Sequence, residues 1–181
     1  MSARVHLRAA TAEAHERVDR LFSGFALSDP VGYARFLSAQ AAAHLPSEAA
    51  IDRQAVTALI PDWPERRRAA LLIADLAELG RSIPPPLPAP ALDSPAALLG
   101  AAYVLEGSRL GGAYLKRAVP NGLPLRFLSA PQPRGGWRTL LMLLDRHLAH
   151  AEQAARAIES AIAVFALFER AVLQHAQQQP A

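Results

Sequence analysis

An all-α fold is predicted for this chain of 181 residues by three features. Alanine and leucine are abundant and β-branched residues sparse, a balance that favours helix. No convincing run alternates apolar and polar residues with the period of two that a half-buried strand needs. Apolar residues recur instead at helical spacing, in segments punctuated by glycine, proline and short polar caps. The length fits one domain, residues 1–181, large enough to bury a sizeable core.

The first helix is predicted to start after Ser2 and to run to about Phe22, where Ser23-Gly24 breaks it. Ser28-Asp29-Pro30 places a capping side chain ahead of a proline suited to a first helical turn. The second helix runs from there to about His44, ahead of Pro46, and a short third spans 48–59. Asp62-Trp63-Pro64-Glu65 resembles a capping box that opens a fourth helix ending at Leu79, before Gly80. Residues 83–90 hold five prolines in eight positions and form an extended loop inside the domain. Asp93-Ser94-Pro95 opens a fifth helix that ends near Val119. A loop containing Gly135-Gly136 follows, and Trp137 to about Gln177 is helical again, in two pieces broken between Asp145 and Ala151. The last few residues are expected to be disordered.

Composition excludes several classes of function. With no cysteine there is no disulfide, zinc-thiolate site, iron–sulfur cluster or cysteine nucleophile. At 51% hydrophobic and 19% charged residues, the chain is suited to a packed core. The net charge of +3 is scattered; its longest block, Arg66-Arg67-Arg68, is expected on a solvated helix face. So weak a basic excess suits an anionic ligand or an acidic protein partner and gives no case for nucleic acid. The apolar runs at 69–79 and 98–105 are too short or too interrupted to span a bilayer, and no apolar signal segment precedes the first helix. The expected location is the cytoplasm, without a membrane partner.

The fifth helix carries an anomaly. Gly100, Gly107, Gly111 and Gly112 lie within a helical apolar pattern, and each interior glycine costs roughly 1 kcal/mol relative to alanine. Gly107 and Gly111 are four apart and share a face, which lets backbone approach either a neighbouring helix or a flat ligand. Spacing leaves both open. The Gly111-Gly112 pair also permits a bend.

Of six histidines, His15 stands on a stripe of the first helix with Arg8, Thr11 and Phe22. An arginine two turns before a histidine can pair with a ligand carboxylate while the imidazole holds a metal, although a lone histidine is commonly a surface or core residue. His147 and His150 are three apart, but no second element offers a matching carboxylate. The chain contains no Glu-x-x-His, so the di-iron bundle signature is missing. Those two histidines read as groups placed by a helix macrodipole.

At these residues the sequence resembles the haem oxygenase family, especially its bacterial, biliverdin-producing branch. Leu7-Arg8-x-x-Thr11-x-x-x-His15 resembles the family's proximal-helix motif, and Tyr103-Val-Leu-Glu-Gly-Ser-Arg-Leu-Gly-Gly112 its distal-helix motif. Tyr33-Ala-Arg-Phe-Leu, Arg68-x-x-Leu71-x-x-x-Asp75-Leu76 with Gly80, and Phe165-Ala-Leu-Phe168-Glu169 resemble later helices in the same order, so the likeness covers most of the chain. It implies a single compact multi-helix domain with haem between the first helix and a kinked, glycine-rich distal helix. His15 would be the axial iron ligand. Gly107 and Gly111 would be the distal backbone against haem, with Gly112 at the bend. Arg8 and Thr11 would lie in the haem-binding stripe, Arg8 as a propionate partner, with Lys116 and Arg138 as looser partners. The animal enzymes carry an aspartate after the first distal glycine; Ser108 stands there in this chain, and a hydroxyl is a weaker proton source.

The implied activity is oxidative cleavage of haem to biliverdin, CO and ferrous iron. Haem is both substrate and cofactor, O2 the oxidant, and electrons come from an external reductant of the ferredoxin or flavin reductase type. The alternatives are a haem-binding or storage protein of the same fold, a thiaminase-like helical protein, and a helical interaction module. The hydrolytic thiaminase-like proteins use a cysteine nucleophile, which this chain lacks.

Overall fold

The computed structural model describes residues 2–176, and the described residues contain helices and no strand. The expectations for the end of the last helix near Gln177 and for disorder beyond it lie outside them. In chain order the α-helices are α1 (Ala3–Phe22), α2 (Pro30–Asp52), α3 (Val56–Leu59), α4 (Trp63–Arg66), α5 (Ala69–Glu78), α6 (Pro95–Leu115), α7 (Gly136–His147) and α8 (Ala151–Ala176). A 3₁₀ turn, Lys116–Ala118, extends α6. The break expected between Asp145 and Ala151 falls between α7 and α8. None of these helices is long and apolar enough to cross a membrane.

The long helix α8 is the centre of the packing and meets α1, α2 and α6. Its contact with α6 is made by small residues. Ala157 and Ala161 are fully buried, Ser160 donates a hydrogen bond to the Ala97 carbonyl at 2.7 Å, and a Cβ on Gly100 would collide with the Ala157 carbonyl oxygen. Gly100 is therefore a helix-packing glycine. Gly100→Ala is expected to destabilise the fold by about 1–3 kcal/mol, because overpacking against backbone outweighs the gain in helix propensity. Denaturant titration measures it, and an unchanged midpoint would show that the helices yield without cost.

Three predicted boundaries are corrected. First, α2 does not stop before Pro46 but passes through it to Asp52. A proline inside a helix leaves the carbonyl four residues earlier without its partner. That carbonyl, on Ala42, accepts the N–H of Leu87 at 3.1 Å, so the proline-rich loop supplies the lost bond. Second, the short third helix is only Val56–Leu59. Third, the single helix expected from 62 to 79 is divided into α4 and α5 at Arg67-Arg68. Asp62 makes no cap bond, and its carboxylate grips Arg66 instead. The cap of α5 comes from elsewhere: Glu48 of α2 accepts the N–H groups of Arg68 (2.7 Å) and Ala69 (3.1 Å). A carboxylate at a helix N-terminus satisfies orphan donors and complements the dipole.

That break also overturns the expected solvated face for the arginine run. Arg66 is 1% and Arg68 2% exposed; only Arg67 faces solvent. Similarly, His147 ends α7 as the macrodipole reading requires, but His150 precedes α8 and its carbonyl accepts the N–H of Ala154. No cluster of three or more metal-ligating side chains occurs among the described residues.

His44 is also buried, its Nε2 3.1 Å from the Glu48 carboxylate. Burial holds its imidazole below the ordinary 6.5; Glu48 opposes this, and the charges of Arg68 and Arg109 add to it. Burial similarly lowers His175, with the Arg35 charge adding. Below 6.5 the unfolded chain binds protons that the folded chain refuses, so the stability these groups contribute is complete above that value and is lost as pH falls. Burial pushes Glu48 up, but the bond to His44 and two backbone N–H groups hold it below 4.5, adding a further loss under that value. Thermal unfolding is expected to soften on acidification from neutrality, and His44→Gln to flatten the upper part of that profile. An equal slope in the variant would remove His44 from the account.

Candidate functional site

A cavity of about 390 Å³ opens between α1 and α6. Helix α1 brings His15 and Phe22 to it, and α6 brings Tyr103, Gly107, Ser108 and Gly111. Phe165 and Phe168 of α8 close one side, and Trp137 of α7 and Gln40 of α2 complete the wall. The surface is thus largely aromatic and apolar, with polar groups concentrated on two helices, a common construction for small-molecule sites.

His15 projects into this space with a side chain 58% exposed. Its Nδ1 lies 3.3 Å from Asp19 one turn on, and its ring meets the edge of Phe165 at 5.8 Å between centroids and an interplanar angle of 89°. With Nδ1 turned toward this carboxylate, Nε2 is the ring nitrogen that would accept a metal.

The glycines of α6 divide by environment. A Cβ on Gly111 would meet nothing within 4 Å, and one on Gly107 would meet only the Trp137 indole at 3.9 Å. The strip they form faces the cavity as bare backbone. Gly112 is buried on the opposite side, where a Cβ would stand 3.3 Å from Leu128. The helix is continuous through both residues.

Ser108 lines the cavity with a hydroxyl already committed. It donates to the Leu105 carbonyl at 2.7 Å and accepts from Arg68 Nη2 at 2.7 Å. Arg68 stacks over Phe127, 4.8 Å from its centroid. Burial pulls its guanidinium down to about 9; the Arg109 charge acts the same way, and Glu106 and Glu48 oppose it. It therefore remains charged at neutral pH. The Gln40 Oε1 atom is buried and has no hydrogen-bond partner. A buried acceptor left unpaired is costly, and a water or ligand donor in the cavity would satisfy it.

Among the residues predicted from sequence, His15, Gly107, Ser108 and Gly111 therefore meet in one cavity. Thr11 is buried and donates to the Leu7 carbonyl at 2.8 Å. Burial raises the Tyr103 phenol, while the Arg8 charge and the Thr11 hydroxyl act in the opposite direction; Thr11 is not in the lining. Arg8, Lys116 and Arg138 are exposed and outside the lining. Sequence reasoning missed Gln40, Tyr103, Trp137 and Arg68. Tyr103 sat beside the glycine motif, and its ring packs on Trp137 at 5.6 Å, but an aromatic residue at helical spacing reads equally as core.

No protein-family model matches the chain. It is 35% identical over 128 residues to a protein named heme oxygenase from Xanthomonas campestris pv. campestris, covering 67% of this chain and 77% of that one. It is 33% identical over 147 residues to heme oxygenase PigA from Pseudomonas aeruginosa, covering 75% and 73%. The fold matches a crystal structure of NO- and CO-bound heme oxygenase from Neisseria meningitidis with TM-score 0.82 and 24% identity, covering 97% of this chain and 92% of the other. It also matches heme oxygenase from Leptospira interrogans with TM-score 0.74 and 23% identity, covering 96% and 100%.

Proposed function

This chain belongs to the haem oxygenase family, and from that premise we propose that it cleaves haem to biliverdin, CO and ferrous iron, with O2 as oxidant and His15 as the residue that would hold the iron. The observation that carries the site assignment is that His15 and the bare strip at Gly107 and Gly111 line one cavity.

Haem, when bound, supplies the iron that activates oxygen and the porphyrin edge that is cut. The residues of the chain hold and orient it. His15 Nε2 would hold the iron, with the Asp19 carboxylate beside Nδ1 helping to orient the imidazole. Gly107 and Gly111 would let the distal helix lie closer to the haem face than any side chain would permit. A bend at Gly111-Gly112 would bring more of that backbone over the ring. The aromatic wall from Phe165, Phe168 and Trp137 limits bulk water.

The Ser108 proton is held by the Leu105 carbonyl, so the hydroxyl serves better as an anchor for water than as an acid. Arg68 behind it and the unpaired Gln40 Oε1 beside the cavity are the groups suited to order such water. Arg8, Lys116 and Arg138, exposed and outside the lining, would pair with the propionates at the surface, Arg8 in company with Thr11. An external ferredoxin or flavin reductase would supply the electrons.

Titration with ferric haem followed by addition of reductant and O2 tests this reading. A saturable Soret band that is replaced by bile-pigment absorbance is expected. A stable haem spectrum under turnover conditions would contradict it.

A further inference from the structure

Arg66 is a fully buried charge at a distance from the cavity lining. Its Nε and Nη2 donate to the two Asp62 oxygens at 2.8 and 2.7 Å, and its Nη1 donates to Glu106 at 2.9 Å. Nη2 also donates to the carbonyl of Gly136 at 2.9 Å. Glu106 uses its second oxygen to accept from Arg109 at 3.0 Å. Arg109 in turn binds the carbonyls of Arg66 and Pro131. Two guanidinium and two carboxylate groups thus tie α4, α6 and the segment entering α7 into one charge-balanced clamp.

The clamp ends next to the ligand site. Gly136 opens α7 after Gly135, whose φ of +69° makes the sharp entry, and the residue after Gly136 is Trp137. A Cβ on Gly136 would come within 3.4 Å of Arg66 Nη2, so the guanidinium sits directly on this backbone. Trp137 borders the bare strip of α6 at Gly107 and packs on Tyr103. A planar ligand lying on that strip must abut the indole, so the position of the indole limits how the ligand can rotate in its own plane. Three of these four charges, Arg66, Glu106 and Arg109, are buried, which is a poor way to gain stability, since apolar residues of similar volume usually do as well, whereas a forked arginine fixes the relative position of the groups it bridges.

Resting on the haem reading above, we propose that Arg66 is a positioning residue that sets the seating of haem by holding the Gly136 carbonyl and, through it, Trp137. Arg66→Lys keeps the charge but cannot reach Asp62, Glu106 and Gly136 together. Proton NMR of the cyanide-bound ferric complex resolves haem seatings and does not depend on turnover. The parent protein is expected to show one dominant seating, and Arg66→Lys to raise a minor one at least severalfold. Trp137→Leu should redistribute the seatings as well, and adding Arg66→Lys to Trp137→Leu should cause no further change. If Arg66→Lys does not fold, Asp62→Asn weakens the same fork and should shift the seatings in the same direction.

An unchanged ratio in the folded single variant overturns the proposal. So does a full additional effect of Arg66→Lys in the Trp137→Leu background, because Arg66 would then act by another route. A parent protein that binds no haem overturns the underlying reading and this inference with it, whereas a single seating shared by the parent and the clamp variants overturns the inference alone.

Discussion

His15→Ala is expected to remove axial ligation of haem iron and leave the apoprotein intact. The side chain is more than half exposed, and its contacts are the Asp19 carboxylate and the edge of Phe165. Substitutions at such a surface position usually change stability by about 0.5 kcal/mol or less. The functional effect should be far larger. Partners in the outer shell of a metal ligand alone control about 10–100-fold in affinity or activity, so loss of the ligand itself should reduce turnover by about 100-fold or more. The Soret band should shift to that of a complex lacking imidazole. Added imidazole should restore the parent spectrum in part, because the space vacated by the ring opens onto the cavity. A variant with the parent spectrum and the parent rate would assign the iron to another residue.

The second large effect concerns Gly111, where function and stability should change in opposite directions. A Cβ there meets no protein atom within 4 Å, so Gly111→Leu has open space at its branch point and gains helix propensity of roughly 1 kcal/mol. The same side chain would enter the space that the bare strip leaves for a flat ligand. Haem affinity should fall by at least about 100-fold, or ~3 kcal/mol. Gly112→Ala separates the bend from the bare face: its methyl group points toward Leu128, away from the cavity, so any loss of haem affinity should be far smaller than in Gly111→Leu. A thermal melt and a haem titration on each variant make the comparison. Parent-like affinity in Gly111→Leu would mean that haem does not lie against this face.

The chain of helices was legible because its punctuation is local. Ser94 accepts the N–H of Ala97 and Asp29 that of Gly32, as their positions before Pro95 and Pro30 suggest. Local signals failed where the partner is distant in sequence. Pro46 reads as a stop, but Leu87 supplies the hydrogen bond that lets α2 continue. Asp62 reads as a cap, but Arg66 competes for its carboxylate and Glu48 caps α5 in its place. Arg66-Arg67-Arg68 reads as a solvated face, yet two of the three are buried: Asp62 one turn earlier pairs with Arg66 at i,i+4 spacing, but Glu106 and Glu48, which also face them, are connected to them by no spacing rule.

The site shows the same division. The glycine excess in α6 was visible as an energetic anomaly, but spacing left both helix packing and ligand contact open. The glycines divide: Gly100 meets Ala157 and Gly112 meets Leu128, while Gly107 and Gly111 face the cavity. His15 was singled out by the company it keeps on its helix. Gln40 and Trp137 were not, since a glutamine or an aromatic residue within an apolar helix carries no mark of what lies across from it.

The central claim is that haem lies flat between His15 and the uncovered backbone of α6. A crystal structure of the ferric haem complex tests it most directly. Iron bonded to His15 Nε2, with the porphyrin against Gly107 and Gly111 and no side chain between, is the predicted result. Iron held by any other residue, or haem seated outside this cavity, would contradict the account.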